Sequence, residues 1–335
     1  MMEYKFLGKN GIRISELVLG AMTFGAECDE KQSFQIMDGF QKYGGNTIDT
    51  ANVYSNGRSE SIVGSWLASK NRDDYVIATK VRFPMGNGPN DAGVSTKNIR
   101  RSVKESLKRL KTDYIDIYQI HAWDSNTMLE ESLYTLSRLV DEGIINYIGV
   151  SNFKGWQLQK AIDVCKEYGF GNISSLQPQY NLLERGVEYE IEDIVRENEI
   201  GVISWSPLRG GWLTGKYNRE SKPSKDTRVG RSRKEDPGEA WERYDNERTW
   251  NVVDQIMRIS KERQVPVSSV SLNWVRSHNW VTAPIIGARN VEQLNENLSC
   301  MDWELSKNEI LELDNVSKMQ QFYPYDFINW AIKRR

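Results

Sequence analysis

The chain has 335 residues, 39% of them hydrophobic and 27% charged, and 44 basic against 46 acidic side chains leave a net charge of −2. That balance gives no pull toward a nucleic acid or a membrane surface, and no stretch approaches the roughly 18 apolar residues of a spanning helix. Three cysteines without a C-x-x-C pair suit buried reduced thiols, two histidines exclude a histidine-rich metal site, and the charged first residues lack the apolar core of a secretory signal, so a soluble cytoplasmic protein without a metal is expected.

Tyr4–Ser15, with Gly8, Asn10 and Gly11 at its centre, reads as a hairpin. Eight short runs rich in Val, Ile and Tyr follow: Glu16–Gly25, Asn46–Ala51, Tyr75–Lys80, Tyr114–Ala122, Asn146–Asn152, Ser175–Tyr180, Gly201–Leu208 and Val281–Arg289. They show little alternation, as expected of parallel strands covered on both faces. Amphipathic stretches separate them; Thr96–Leu110, for example, sets Ile99, Val103, Leu107 and Leu110 on one stripe. Thr23, Asp49, Lys80, His121, Ser151, Gln177 and Ser206, the last polar residues of successive runs, lie 26, 31, 41, 30, 26 and 29 residues apart. Each interval holds a strand, a helix and two loops, which predicts one (β/α)8 TIM barrel over residues 1–335 rather than a doubly wound sheet. No G-x-G-x-x-G fingerprint competes, because Gly86–Gly88 and Gly169–Gly171 lack the third glycine and a following helix. Lys216–Arg248, with 18 charged residues in 33 and Pro223 and Pro237 among them, reads as a long loop after strand 7. Composition alone leaves it either a solvated excursion or, through the eight basic and two acidic residues of Lys216–Lys234, a holder of an anionic ligand.

In such a barrel the chemistry lies at the C-terminal strand ends. Strand 2 delivers Asp49, with Tyr54 in the following loop; strands 3 and 4 deliver Lys80 and His121. Singly, each has a structural explanation: a turn former, a packed aromatic, a surface charge, a core histidine. Delivered to one rim by consecutive elements, they suit proton transfer. A buried lysine beside a carboxylate keeps its charge, a neighbouring tyrosine has its phenolate stabilised and so its pKa lowered, and a histidine can orient a carbonyl oxygen. The set protonates a developing alkoxide. It lacks an acyl-transfer nucleophile, a metal cage and a carboxylate pair for glycoside hydrolysis, and it needs a hydride donor.

The segments LGKNGIRISELVLGAMTFG, NTIDTANVYSNGRSE, VIATK, YIDIYQIHAWD, YIGVSNF, LQPQYNLLER, SWSPLRGGWLTGKY and PIIGARNVEQLNENL resemble the aldo-keto reductase superfamily from the hairpin to strand 8. Trp-Ser-Pro-Leu at 205–208 looks like the branch containing bacterial reductases and potassium-channel β subunits. The resemblance implies a catalytic tetrad: Tyr54 as general acid, Lys80 lowering its pKa, Asp49 pairing with Lys80, and His121 orienting the substrate carbonyl. It places Gly20, Met22 and Asp49 in the cofactor site and gives Ser151, Asn152 and Gln177 to the nicotinamide carboxamide, with Trp205 stacking on its ring. Ser206, Leu208, Gly211 and Lys216 would line the pyrophosphate under an Arg228 clasp, and Gly287, Arg289, Gln293, Glu296 and Asn297 would hold the adenosine end. Asn290 and Gln293 form a capping-box pattern that predicts a helix start beside Arg289, a good phosphate site. NADP(H) is therefore expected over NAD(H), although Gly287 stands where the family commonly has a basic residue. Arg82–Ser95 is expected to border the substrate pocket, and Trp123 either walls it or only packs. Gln321–Trp330, with five aromatics, either lies over the mouth or forms a subunit contact. The expected activity is NADP(H)-dependent reduction of an aldehyde or ketone. Its rivals are an NADPH-holding regulatory subunit and a barrel hydrolase or lyase.

Overall fold

Tyr4–Phe6 (β1) and Arg13–Ser15 (β2) pair antiparallel as the N-terminal hairpin. Eight parallel strands then close a barrel: Val18–Gly20 (β3), Thr47–Asp49 (β4), Val76–Val81 (β5), Ile115–Ile120 (β6), Ile145–Ser151 (β7), Ile173–Gln177 (β8), Gly201–Ser204 (β9) and Ala283–Ile286 (β10). The last strand hydrogen-bonds to both β9 and β3, so the sheet keeps no edge. The computed structural model describes residues 2–232, 238, 240–332 and 334.

Inside the barrel, Val18, Val76, Ala78, Ile117, Ile203, Ala283 and Ile285 pack with Leu7 and Ile14 of the hairpin, which stops the N-terminal end. Gly201 leaves room for that stopper: a Cβ there would sit 2.4 Å from Leu7 Cδ1. The same end holds a buried Asp116 that accepts from Arg72 Nη2 at 2.6 Å and from the Ile77 amide at 2.9 Å. Being at the bottom of the barrel, this pair serves stability rather than chemistry. Outside the strands, the helices turn one apolar stripe inward. Thr96–Leu110 buries Ile99, Val103 and Leu110, and Ser95 caps it by accepting from the Asn98 amide. All three cysteines are buried and unpaired by disulfides.

The charged segment after β9 is more ordered, among the described residues, than a solvated excursion. It forms short helices at Arg228–Arg231 and Trp241–Tyr244, and a long helix begins already at Glu247. Its anchor is aromatic: Trp241 stacks on buried Trp212 at 5.1 Å, with Tyr244 and Trp250 around them. Charge counting hid this because Trp241 and Tyr244 of that segment carry the burial, against Trp212 and Trp250 that flank it. Residues 233–237 and 239 of the predicted loop lie outside the described residues. Of the C-terminal aromatics, Tyr325, Phe327 and Trp330 lie in the helix Tyr325–Ile332, which buries no residue; Tyr325 and the preceding Phe322 pack on Tyr189, in the loop after β8. Among the described residues no helix is long and apolar enough to cross a membrane.

Candidate active site

Parallel register brings the polar strand ends together. Asp49 closes β4, Lys80 stands across from Gln119 of β6, and Ser151 across from Gln177 of β8. Lys80 is fully buried, and its ammonium donates to Asp49 Oδ2 (2.6 Å), the Thr50 carbonyl (2.7 Å) and the Tyr54 hydroxyl oxygen (3.2 Å). Three donors thus meet three acceptors. Because Lys80 donates to the phenol oxygen, the proton of Tyr54 is left for an acceptor in the barrel mouth. Asp49 Oδ1 accepts from Gln177 Nε2 at 2.7 Å and from Gln119 Nε2 at 3.3 Å, so the carboxylate is braced from three strands.

A tight turn fixes Tyr54. Ser55 and Asn56 take φ of 49° and 54°, and Gly57 takes 87°. A Cβ on Gly57 would lie 2.8 Å from Arg109 Cδ, and Arg109 Nε donates at 2.7 Å to the buried carboxylate of Glu60. The other oxygen of Glu60 accepts from the Thr79 hydroxyl at 2.6 Å, and Thr79 adjoins Lys80. The turn bearing the tyrosine and the strand bearing the lysine are therefore tied by one buried ion pair.

Electrostatics agree with the expectation for Lys80, leave His121 neutral, and correct the expectation for Tyr54. Burial opposes the charge of Lys80, but Asp49 and then Tyr54 outweigh it and hold the ammonium above its usual range. His121 is pushed down to about 2, first by burial and then by the charges of Lys80 and Arg82, so its imidazole is neutral. Tyr54 was expected below its usual value. Lys80 does pull it down, but burial pushes up harder and Asp49 adds to the rise, so the phenol stays protonated. A neighbouring ammonium was legible in the sequence; the depth of the phenol was not.

The tetrad is thus assembled, with the His121 ring edge-on to Tyr54 at 5.9 Å. The residues expected at the nicotinamide form one linked set. Trp205 Nε1 donates to Asn152 Oδ1 at 3.1 Å, Asn152 Nδ2 donates to the His121 carbonyl at 3.0 Å, and Ser151 Oγ donates to the Gln177 carbonyl at 2.8 Å. Gln177 spends its amide nitrogen on Asp49. Trp205 is half-buried beside the barrel interior.

The expected phosphate residues also converge. Lys216 lies over Gly211, whose φ is 97° and whose Cβ, if present, would overlap the lysine chain. Burial holds the Lys216 ammonium below its usual range, helped by the charges of Arg289 and Arg228 and opposed by Glu27. Arg228 reaches to 4.0 Å from Met22 Sδ, and its charge is felt at Tyr54. Glu27 pairs with Arg231 at 2.9 Å and Arg289 at 3.6 Å. Ser206 takes φ of 57° and its carbonyl accepts from Asn181, while Leu208 is half-buried nearby in the chain. Gly287 faces open space and accepts at its carbonyl from Asn297 Nδ2 at 3.1 Å, and Glu296 is exposed. The helix Val291–Leu298 starts as predicted, with half of the capping box: Asn290 Oδ1 accepts from the Gln293 amide, but Gln293 Oε1 reaches back to the Arg289 amide instead.

Two placements favour packing. Gly20 is a glycine because a Cβ would approach Ile285 Cγ2 to 2.7 Å. Trp123 stands edge-on to Phe153 and Trp156, both at 5.3 Å, outside the Tyr54–His121 contact. Sequence reasoning passed over Gln119, a polar residue near the C-terminal end of the buried strand β6, which was a usable signal. It also passed over Glu27, whose partners Arg231 and Arg289 come from distant segments.

With this geometry, the chain matches the Aldo/keto reductase family over residues 16–318. It is 39% identical over 324 residues to an uncharacterized oxidoreductase, YrpG, of Bacillus subtilis (strain 168), covering 94% of this chain and 95% of that protein. It is 36% identical to a probable voltage-gated potassium channel subunit beta of Arabidopsis thaliana, covering 90% and 92%. It is 32% identical to norsolorinic acid reductase of Aspergillus flavus, covering 95% and 81%. The chain belongs to the aldo/keto reductase family, and with it to the oxidoreductases that generally use a nicotinamide cofactor.

Proposed function

We propose that this single-domain chain reduces an aldehyde or ketone to an alcohol with NADP(H), working in the cytoplasm without a nucleic-acid or membrane partner. The observation that carries the reading is the buried Lys80–Asp49 pair donating to the Tyr54 hydroxyl next to a neutral His121. The residues present fit the cofactor: a half-buried indole at Trp205 for a flat ring, and the cations Lys216, Arg228 and Arg289 together for phosphates. When bound, the nicotinamide supplies the hydride. Tyr54 supplies the proton, since its own O–H is not spent on Lys80. His121 supports that transfer as the tautomer protonated on Nε2: its buried Nδ1 has no partner among the described residues, and an unmet acceptor is the less costly of the two. That leaves one N–H to hold a carbonyl oxygen. Arg289, beside the helix at Val291, favours the extra 2′-phosphate of NADP(H) over NAD(H).

The similarity to a plant channel subunit supports a second reading, a regulatory subunit that holds NADPH and turns over slowly. One experiment separates the two. NADPH oxidation is followed with a panel of aldehydes, with Tyr54→Phe and NADH alongside. Turnover that falls by about 10²–10⁴-fold in the variant, with NADPH affinity kept within a few-fold, supports the reductase. Tight NADPH binding without turnover supports the regulatory subunit, and loss of nucleotide binding in Tyr54→Phe means that the tyrosine is structural.

A further inference from the structure

Arg82 directly follows β5, the strand that bears Lys80, and has no role in the chemistry above. It is only partly exposed, and its Nε is fully buried with no hydrogen-bond partner among the described residues. Among the described residues its guanidinium joins no ion pair; its one contact is the face of Phe83, at 5.1 Å from the ring centroid. The Phe83 ring in turn stands edge-on to the His121 imidazole at 4.8 Å. The arginine is close enough for its charge to depress His121. Its charge acts on the carboxylate of Asp124, but that group already accepts from the Val94 and Asn126 amides and the Thr127 hydroxyl. Lys80, the other cation at this point, is neutralised by Asp49. A buried guanidinium nitrogen without an acceptor is costly, and the fork of an arginine matches a carboxylate in geometry and charge.

We propose that Arg82 receives a carboxylate carried by the substrate, so that the site reduces aldehydes or ketones that are also acids. The contact of Phe83 with both Arg82 and His121 sets the two substrate groups about one ring apart. This favours a carboxylate separated from the carbonyl by a short chain or an aromatic ring over a 2-oxo acid. The inference rests on the reductase reading, and its test is built to fail separately.

Initial rates are compared for 2-, 3- and 4-carboxybenzaldehyde against benzaldehyde, and for 4-oxobutanoate against butanal. The measured quantity is the ratio of kcat/KM, acid over neutral, within each protein. At least one pair should favour the acid by about tenfold or more, as charge-assisted contacts do. The ratio should fall toward one in Arg82→Gln and stay intermediate in Arg82→Lys, with thermal melting showing that both variants are folded. A ratio near one in the unmodified protein, or one that survives Arg82→Gln, overturns the assignment. If no aldehyde is turned over, the reductase reading fails. Calorimetric titration with isophthalate, a dicarboxylate that cannot be reduced, then decides for Arg82 alone. A tenfold loss of affinity in Arg82→Gln keeps the anion site, and no binding or unchanged binding removes it.

Discussion

Replacing Lys80 by Met keeps most of the volume and removes the charge from a site where the lysine is fully buried and its partner Asp49 is 3% exposed. The three hydrogen bonds from the ammonium are lost, and Asp49 keeps only the amides of Gln177 and Gln119. Two neutral donors do not offset a buried carboxylate, and breaking such a pair from one side costs about 3–5 kcal/mol. At roughly 2 °C per kcal/mol for a large domain, the melting temperature should drop by about 5–10 °C. Asp49→Asn added to Lys80→Met removes the second charge as well, while Asn still offers Gln177 an acceptor. The double variant should recover to within about 1–2 kcal/mol of the original protein. Turnover should not recover, since no ammonium then donates to the Tyr54 oxygen. Thermal melting of the four proteins, with NADPH oxidation measured on each, tests both halves. If Lys80→Met melts within a degree of the unmodified protein, or if the double variant melts below both single ones, the pair is not the buried, mutually dependent unit described above.

Both histidines are held below their ordinary value near 6.5, chiefly by burial, so the unfolded chain takes up their protons first. Stability should therefore fall as pH drops below about 6.5, and a pH series of melting temperatures in which His121→Gln flattens the acid side would bear this out. By the same reasoning the acid limb of kcat/KM should show no histidine ionisation between roughly pH 5 and 8. Glu27→Gln removes the internal counter-ion of Arg231 and Arg289. Fluorescence titration should show NADPH binding a few-fold tighter and NADH binding unchanged, and weaker NADPH binding would instead make Glu27 a scaffold for the arginines. Gly57→Ala forces a Cβ into Arg109 at a φ of 87°. It should cost about 1–3 kcal/mol in denaturant unfolding and lower kcat more than it raises KM, because the displaced group is the tyrosine turn.

The meeting of Asp49, Lys80 and His121 was legible because they close consecutive strands, and strand spacing brings them, with Tyr54 in the loop after the first, to one rim. The hairpin and the helix at Thr96 were legible for similar local reasons: glycines at a turn, and an apolar stripe behind Ser95. What stayed hidden depends on the tilt of the closed sheet. Gln119 precedes His121 by two residues and has no evident role until barrel closure sets it against Asp49 and Gln177. Glu27 is an ordinary surface acid in sequence, and only tertiary structure sets it between Arg231 and Arg289. The pKa of Tyr54 failed for a different reason: the sequence shows which charges are near, whereas the sign of the net shift depends on how much water remains.

The cation cradle is built from Lys216 and Arg228 on one segment and Arg289 on another, with Glu27 from near the start of the chain. Thr23 Oγ1 and Cys28 Sγ join the first loop to the last by donating to the carbonyls of Ala288 and Arg289. The cations all come from the second half of the chain, and Thr23, Glu27 and Cys28 fasten them to the first half across the seam between β10 and β3. A phosphate-bearing ligand held between these cations and the first loop would favour the closed ring over a form opened at that seam. Each tenfold of concentration above its Kd then adds about 1.4 kcal/mol against opening the seam where the barrel's two ends meet.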